Sequence, residues 1–167
     1  MPPGVSTALD VFIGYLLLDV WAANQDRHHE NWGAIVDVEH GDLVLAPTFD
    51  HGAALARNLL DAERIERLTT RDANRSLNVF ATKARSAFFD SATDSRTLLL
   101  IDSFQMFARR APAAACVWLN RLQAVNLSDV SGILRQVPND RMSDICREFT
   151  LRLLEVNRQR LLDLELS

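Results

Sequence analysis

Only one lysine, Lys83, occurs among the 167 residues, and the six glycines are scattered. The chain therefore lacks a glycine-rich loop that would cover nucleotide phosphates, and the lysine such a loop works with. Cysteine is scarce as well. Cys116 and Cys146 are too few for a disulfide framework and lack metal-ligand spacing, so both are expected to be buried free thiols. No apolar run reaches the roughly 20 residues a membrane-spanning helix needs, because Asp19 interrupts Val11 to Ala23. No basic segment or cleavage-type site precedes that run, so a signal peptide is not expected and a cytoplasmic location is. Positive charge is not in excess. A formal net charge of -4 speaks against direct nucleic-acid binding, whose usual footprint is a basic patch. The looser group Arg64, Arg67, Arg71, Arg75, Lys83 and Arg85 is interrupted by acids and reads as a solvated helical face.

What is present suits a globular domain. Apolar residues make up 48% and charged residues 24%, enough for a sizeable core, and the length fits one domain over 1–167. No repeat, low-complexity tract or long linker occurs. Ser6 or Thr7 caps a predicted helix to about Ala23, with Phe12, Leu16, Val20 and Ala23 at helical spacing. Asn24 to Asn31 is polar and reads as a loop. Trp32 to Val38, the turn Glu39-His40-Gly41-Asp42 and Leu43 to Ala46 predict a β-hairpin that Pro47 ends. The remainder is helical. Predicted helices cover Asp61 to Leu68, Asn74 to Ala87, Ser95 to Arg109, Ala113 to Val125 after Pro112, Ser128 to Val137, and Ser143 to Leu164. Trp21, Trp32 and Trp118 are expected as core anchors. The expected fold is mainly α with a small β-hairpin.

That hairpin joins two acid clusters. The first is Asn24-Gln25-Asp26-Arg27-His28-His29-Glu30-Asn31, and the second is Asp50-His51-Gly52. Phosphoryl transfer calls for a carboxylate to receive the acceptor hydroxyl and for hard oxygen ligands on magnesium. Asp26 suits the first task. Asn31 and Asp50 suit the second, with Gly52 allowing a positive φ or a tight turn. Arg27 pairs either with Asp26, with a phosphate, or with another surface acid.

The stretch N-Q-D-R-H-H-E-N-W-G followed by L-A-P-T-F-D-H-G resembles the catalytic core of the HipA-like serine/threonine kinases, with their N-x-D-x-H-x-x-N loop and later P-x-(Y/F)-D segment. The D-R-H-x-x-N part is also similar to the phosphoinositide kinases. The resemblance implies Asp26 as catalytic base, His28 as the loop histidine that hydrogen-bonds and orients the loop, and Asn31 and Asp50 as magnesium and nucleotide ligands. It implies ATP and Mg2+ as cofactors, a protein Ser or Thr as acceptor, and the C-terminal lobe of a protein-kinase-like fold. An antitoxin partner is implied in the same way, since the family often occurs in toxin–antitoxin systems.

Two features depart from that pattern. Glu30 stands where the family often carries Lys, and only about 25 residues precede the loop. The nucleotide-binding lobe is thus expected from elsewhere, with the chain a fragment, a truncated product or half of a split enzyme, and with little turnover alone. Two other readings stay open. One is an inactive kinase-lobe remnant that regulates or binds a partner. The other is a metal-dependent hydrolase using Asp26, His28 and Asp50.

Overall fold

The computed structural model describes residues 2–165. Within them lie seven α-helices, a 3₁₀ turn and one two-stranded antiparallel sheet. Helix α1 (Ala8–Ala22) is the centre. Thr7 caps it: the Thr7 hydroxyl accepts from the Asp10 amide, while Asp10 Oδ2 accepts from the Ser6 and Thr7 amides at 3.0 and 2.8 Å. Those backbone donors and the Thr7 hydroxyl hold the Asp10 carboxyl below the usual carboxylate range. Because α1 is apolar almost all round, it is surrounded. It packs against α4 (Leu100–Ala108), α5 (Pro112–Gln123) and α7 (Asp144–Leu162). Ile13, Leu16 and Val20 meet Phe104, Ala108, Ala115 and Leu161 in the main core.

Gly14 is where α5 comes closest. A Cβ there would lie 2.5–2.9 Å from three atoms of the Trp118 indole, whose Nε1 donates to the Asp10 carbonyl at 2.7 Å. The contacting atoms belong to a rigid ring tied by that bond, so relief requires the ring or α5 to shift. We expect Gly14→Val to destabilise by about 1–3 kcal/mol, the usual range for overpacking. A thermal melt followed by tryptophan fluorescence checks it, and an unchanged midpoint would show that α5 shifts freely.

The hairpin comprises β1 (Ala34–Val36) and β2 (Leu43–Leu45), with Ala34 opposite Leu45 and Val36 opposite Leu43. The four-residue turn is Val38 to Gly41, one residue earlier than expected, because Asp37 N–H pairs with the Asp42 carbonyl. Asp37 Oδ1 accepts from the Glu39 and His40 amides and Oδ2 contacts His40 Nδ1, and Gly41 takes φ 73°. The ladder is short and largely exposed.

The other elements are α2 (Asp61–Thr69), α3 (Leu77–Lys83) and α6 (Leu127–Gln136). Several differ from the sequence expectation. Asn74 to Ala87 is not one helix: Ala73–Arg75 forms a 3₁₀ turn, and Ser76 starts α3 afresh by accepting from the Val79 amide. Residues 84–88 pair with 98–100 through Leu100 N–H to Ala84 O, Ser86 N–H to Leu98 O and Leu98 N–H to Phe88 O. This pairing takes Leu98 and Leu99 out of α4, which starts at Leu100. Asn126, not Ser128, caps α6, its side chain accepting from the Ser128 amide. Ser143 caps α7 as expected. Cys116 lies on the exposed face of α5 and Cys146 is half-buried, so neither is the buried thiol expected. Trp32 is 41% exposed, its ring tilted against that of Phe12, and so is not the buried anchor expected. Among the described residues no helix is long and apolar enough to cross a membrane.

Candidate active site

Ala23 takes a left-handed backbone (φ 52°) and turns the chain out of α1 into the acid-bearing loop. In the last turn of α1 sits Asp19, a carboxylate only 1% exposed. Its partner is Arg27, also 1% exposed, which donates Nε to one carboxylate oxygen at 2.8 Å and Nη2 to the other at 2.7 Å. Asn24 Nδ2 adds a third bond to Asp19 at 2.8 Å. The remaining guanidinium nitrogen, Nη1, donates to the Asn31 carbonyl at 2.8 Å and reaches the Phe49 carbonyl at 3.5 Å. One buried cation thus ties α1, the end of the first acid cluster and the residue before the second. Arg27 is therefore neither a partner of Asp26 nor a surface salt bridge.

Asn31 is buried. Its Nδ2 donates to the Asp26 carbonyl at 2.7 Å and its own amide to the His28 carbonyl at 3.0 Å. Those bonds close the loop on itself and consume the amide nitrogen, and among the described residues Asn31 Oδ1 carries no hydrogen bond. Asp26 is about half exposed, with His28 Nε2 at 3.5 Å from its Oδ1. His28 Nδ1 accepts from the Glu30 amide at 3.2 Å, so a neutral ring carries its proton on Nε2, toward Asp26. His29 and Glu30 are exposed.

Pro47-Thr48-Phe49 brings the chain from β2 back to Arg27. Tyr15 supports this return by donating its hydroxyl to the Ala46 carbonyl at 2.8 Å, and burial pushes its phenol up while the nearby Arg27 charge opposes the shift. Asp50 itself has φ 50°, a conformation an aspartate tolerates better than most side chains. Of the two roles expected for Gly52, a positive φ or a tight turn, it does not take the first. It serves instead in a tight turn closed by Ala54 N–H to the His51 carbonyl at 3.0 Å. Asp50 is exposed, and its Oδ1 accepts only a long bond of 3.4 Å from the Gly52 amide.

The available donors are thus an amide oxygen at Asn31 and a lightly bonded carboxylate at Asp50. Both are hard oxygen ligands, which fits magnesium better than zinc. Among the described residues no three His, Cys, Asp or Glu side chains cluster to hold a metal, so Asp26, His28 and Asp50 do not form a three-ligand hydrolytic centre. Sequence reasoning assigned no role to Asp19 or Asn24. The signal was a lone carboxylate inside an apolar helix, which must find a cation when buried.

No family model matches the sequence, and no curated protein matches it. A solved structure does resemble it: that of CtkA, a proinflammatory kinase of Helicobacter pylori, with a TM-score of 0.65 at 20% identity. The fold is kinase-like. The similarity covers 94% of this chain and 54% of that one, so the chain spans about half the length of that kinase.

Proposed function

We propose that this chain is the C-terminal, catalytic lobe of an ATP-dependent serine/threonine kinase of HipA-like kind, forming one domain over 1–167. The observation that carries the reading is the Arg27 clamp, which anchors the loop of Asp26 and Asn31 and the backbone before Asp50 to one buried guanidinium. In this reading Asp26 takes the proton of the acceptor hydroxyl while that oxygen bonds to the γ-phosphorus and ADP leaves. His28 orients the Asp26 carboxylate from its Nε2 side. Asn31 and Asp50 hold magnesium, which when bound neutralises charge on the phosphates. The acceptor is a protein Ser or Thr, and the cellular location is the cytoplasm.

The nucleotide-binding lobe comes from outside residues 1–167, and an antitoxin is a further partner. The hairpin suits such a contact, for Ile35, Val36, Val38, Leu43 and Val44 are all exposed, Val38 to 90%. Apolar surface of this kind marks a covered face. The same surface would serve the alternative role of a non-catalytic, partner-binding remnant.

Calorimetric titration with ATP separates the two. We expect weak binding that requires Mg2+ and falls at least tenfold in Asp50→Ala, with negligible phosphoryl transfer until a nucleotide lobe is added. Asp26→Asn then abolishes transfer while leaving Mg-ATP binding in place. Binding that ignores both Mg2+ and Asp50 sinks the kinase reading.

A further inference from the structure

A cleft of about 550 Å³ lies beyond the Asp50 turn and not over it. Its size is that of a ligand site. One wall is the segment that starts at Ala54 and Leu55; the opposite wall is the loop before α7 and the first turns of that helix. The first wall is stapled to the second acid cluster and to the end of α1. Ala54 N–H bonds to the His51 carbonyl, and Leu55 N–H bonds to the Ala22 carbonyl at 2.7 Å. A turn of that kind keeps its ends within about 7 Å, so the cleft begins one turn from Asp50.

The lining mixes polar and apolar side chains, and its charged groups leave one positive charge in excess. Arg57, Arg64 and Arg141 face Asp61 and Asp140. Arg64 is 7% exposed, the one buried charge of α2, which corrects its expected place on a solvated face. Its Nη1 is held by Asp61 at 2.7 Å, and its Nη2 makes only long contacts of 3.4 and 3.5 Å to the Ala56 and Arg57 carbonyls. Its Nε has no acceptor, and the Thr150 hydroxyl on the opposite wall is equally unpartnered. Arg27 shows what this edge of a guanidinium does when satisfied, for there Nε and Nη2 together take both oxygens of one carboxylate. Arg64 has the same edge without the carboxylate, with Nε closed off from solvent under the cleft wall. Leu55 and Ala56, both at positive φ, form the strained backbone beside it.

We propose that this cleft receives an acidic side chain of the acceptor polypeptide, an Asp or Glu near the phosphorylated Ser or Thr, with Arg64 turning its Nε edge onto the carboxylate and Arg57 and Arg141 flanking it. The proposal rests on the kinase reading for the word acceptor, but its binding test does not. Fluorescence anisotropy with a labelled serine peptide flanked by glutamates, against its glutamine counterpart, measures the preference without nucleotide. The glutamate peptide is expected to bind at least tenfold more tightly. Arg64→Gln removes the preference, and raised salt weakens it. Should Arg64→Gln fail to fold by circular dichroism, the exposed pair Arg57→Gln/Arg141→Gln is expected to cut it at least threefold. Equal binding of the two peptides, or a preference untouched by these variants, overturns the proposal. So does competition by free glutamate or inorganic phosphate as strong as that by the peptide, which would mark an adventitious ion only. Acidic-peptide binding that survives in a chain with no Mg-ATP binding would retain the cleft and discard the kinase reading.

Discussion

Arg27→Met is expected to lower the stability of the fold by about 3–5 kcal/mol, the range for removing one partner of a buried ion pair. The reason is what remains. Asp19 stays inside α1 at 1% exposure with a single side-chain donor, the Asn24 amide. The Asn31 and Phe49 carbonyls lose their shared donor at the same time. Urea unfolding followed by tryptophan fluorescence reads the loss, and a change below about 1 kcal/mol would mean the pair is not dry. The double variant Asp19→Leu/Arg27→Met isolates the clamp. Apolar replacement of both charges is often neutral for stability, so most of the lost stability is expected to return. Mg-ATP binding is not expected to return, because neither new side chain can donate to the two loop carbonyls. Recovery of both together would show that the guanidinium stabilises the fold without positioning the loops.

The second large effect is expected at Phe149. This side chain is wholly buried on α7, between Leu77 and Ala81 of α3 and Ala23 at the exit of α1, with an edge-to-face contact to Phe80 at 5.9 Å. Phe149→Ala should cost about 3–5 kcal/mol, transfer loss plus the cavity left behind. It acts next to the turn that launches the acid-bearing loop, so the Asn24 amide, bonded to the Asp19 carbonyl at 2.8 Å, should exchange faster with solvent. Phe149→Leu, which fills more of the space, should lose visibly less. Equal losses for the two variants would place the cost in something other than the cavity.

Much of the helical frame was readable from apolar spacing and caps. Thr7, Pro112 and Ser143 each start the helix they were expected to start. These signals are local, since a hydroxyl that accepts from an amide three residues on needs no distant partner. The failures are where a distant partner wins. Leu98 and Leu99 look helical beside Leu100 and Ile101, yet they serve the pairing with 84–88 that satisfies backbone groups on both segments. Asn126 takes the cap of α6 from Ser128 through an Asx turn that single-residue preference does not rank. Arg64 looked like one of many solvated arginines, and burial against residues 56 and 57 was invisible in the spacing.

The candidate site divides along the same line. Sequence alone determined which residues can offer oxygen and in what order: Asp26, Asn31 and Asp50 around a hairpin, with His28 inside the first loop. Donor chemistry is a property of each side chain, so it survives without coordinates. Only the tertiary structure decided that Asp19 and Arg27 make a buried pair holding those two loops together, that Asn31 spends its amide nitrogen on Asp26, and that Asp50 rather than Gly52 is left-handed. Each depends on exclusion of water, which only packing of the whole chain around α1 can impose. A carboxylate and a guanidinium at 1% exposure must bond each other, whereas on a surface they would be free to part.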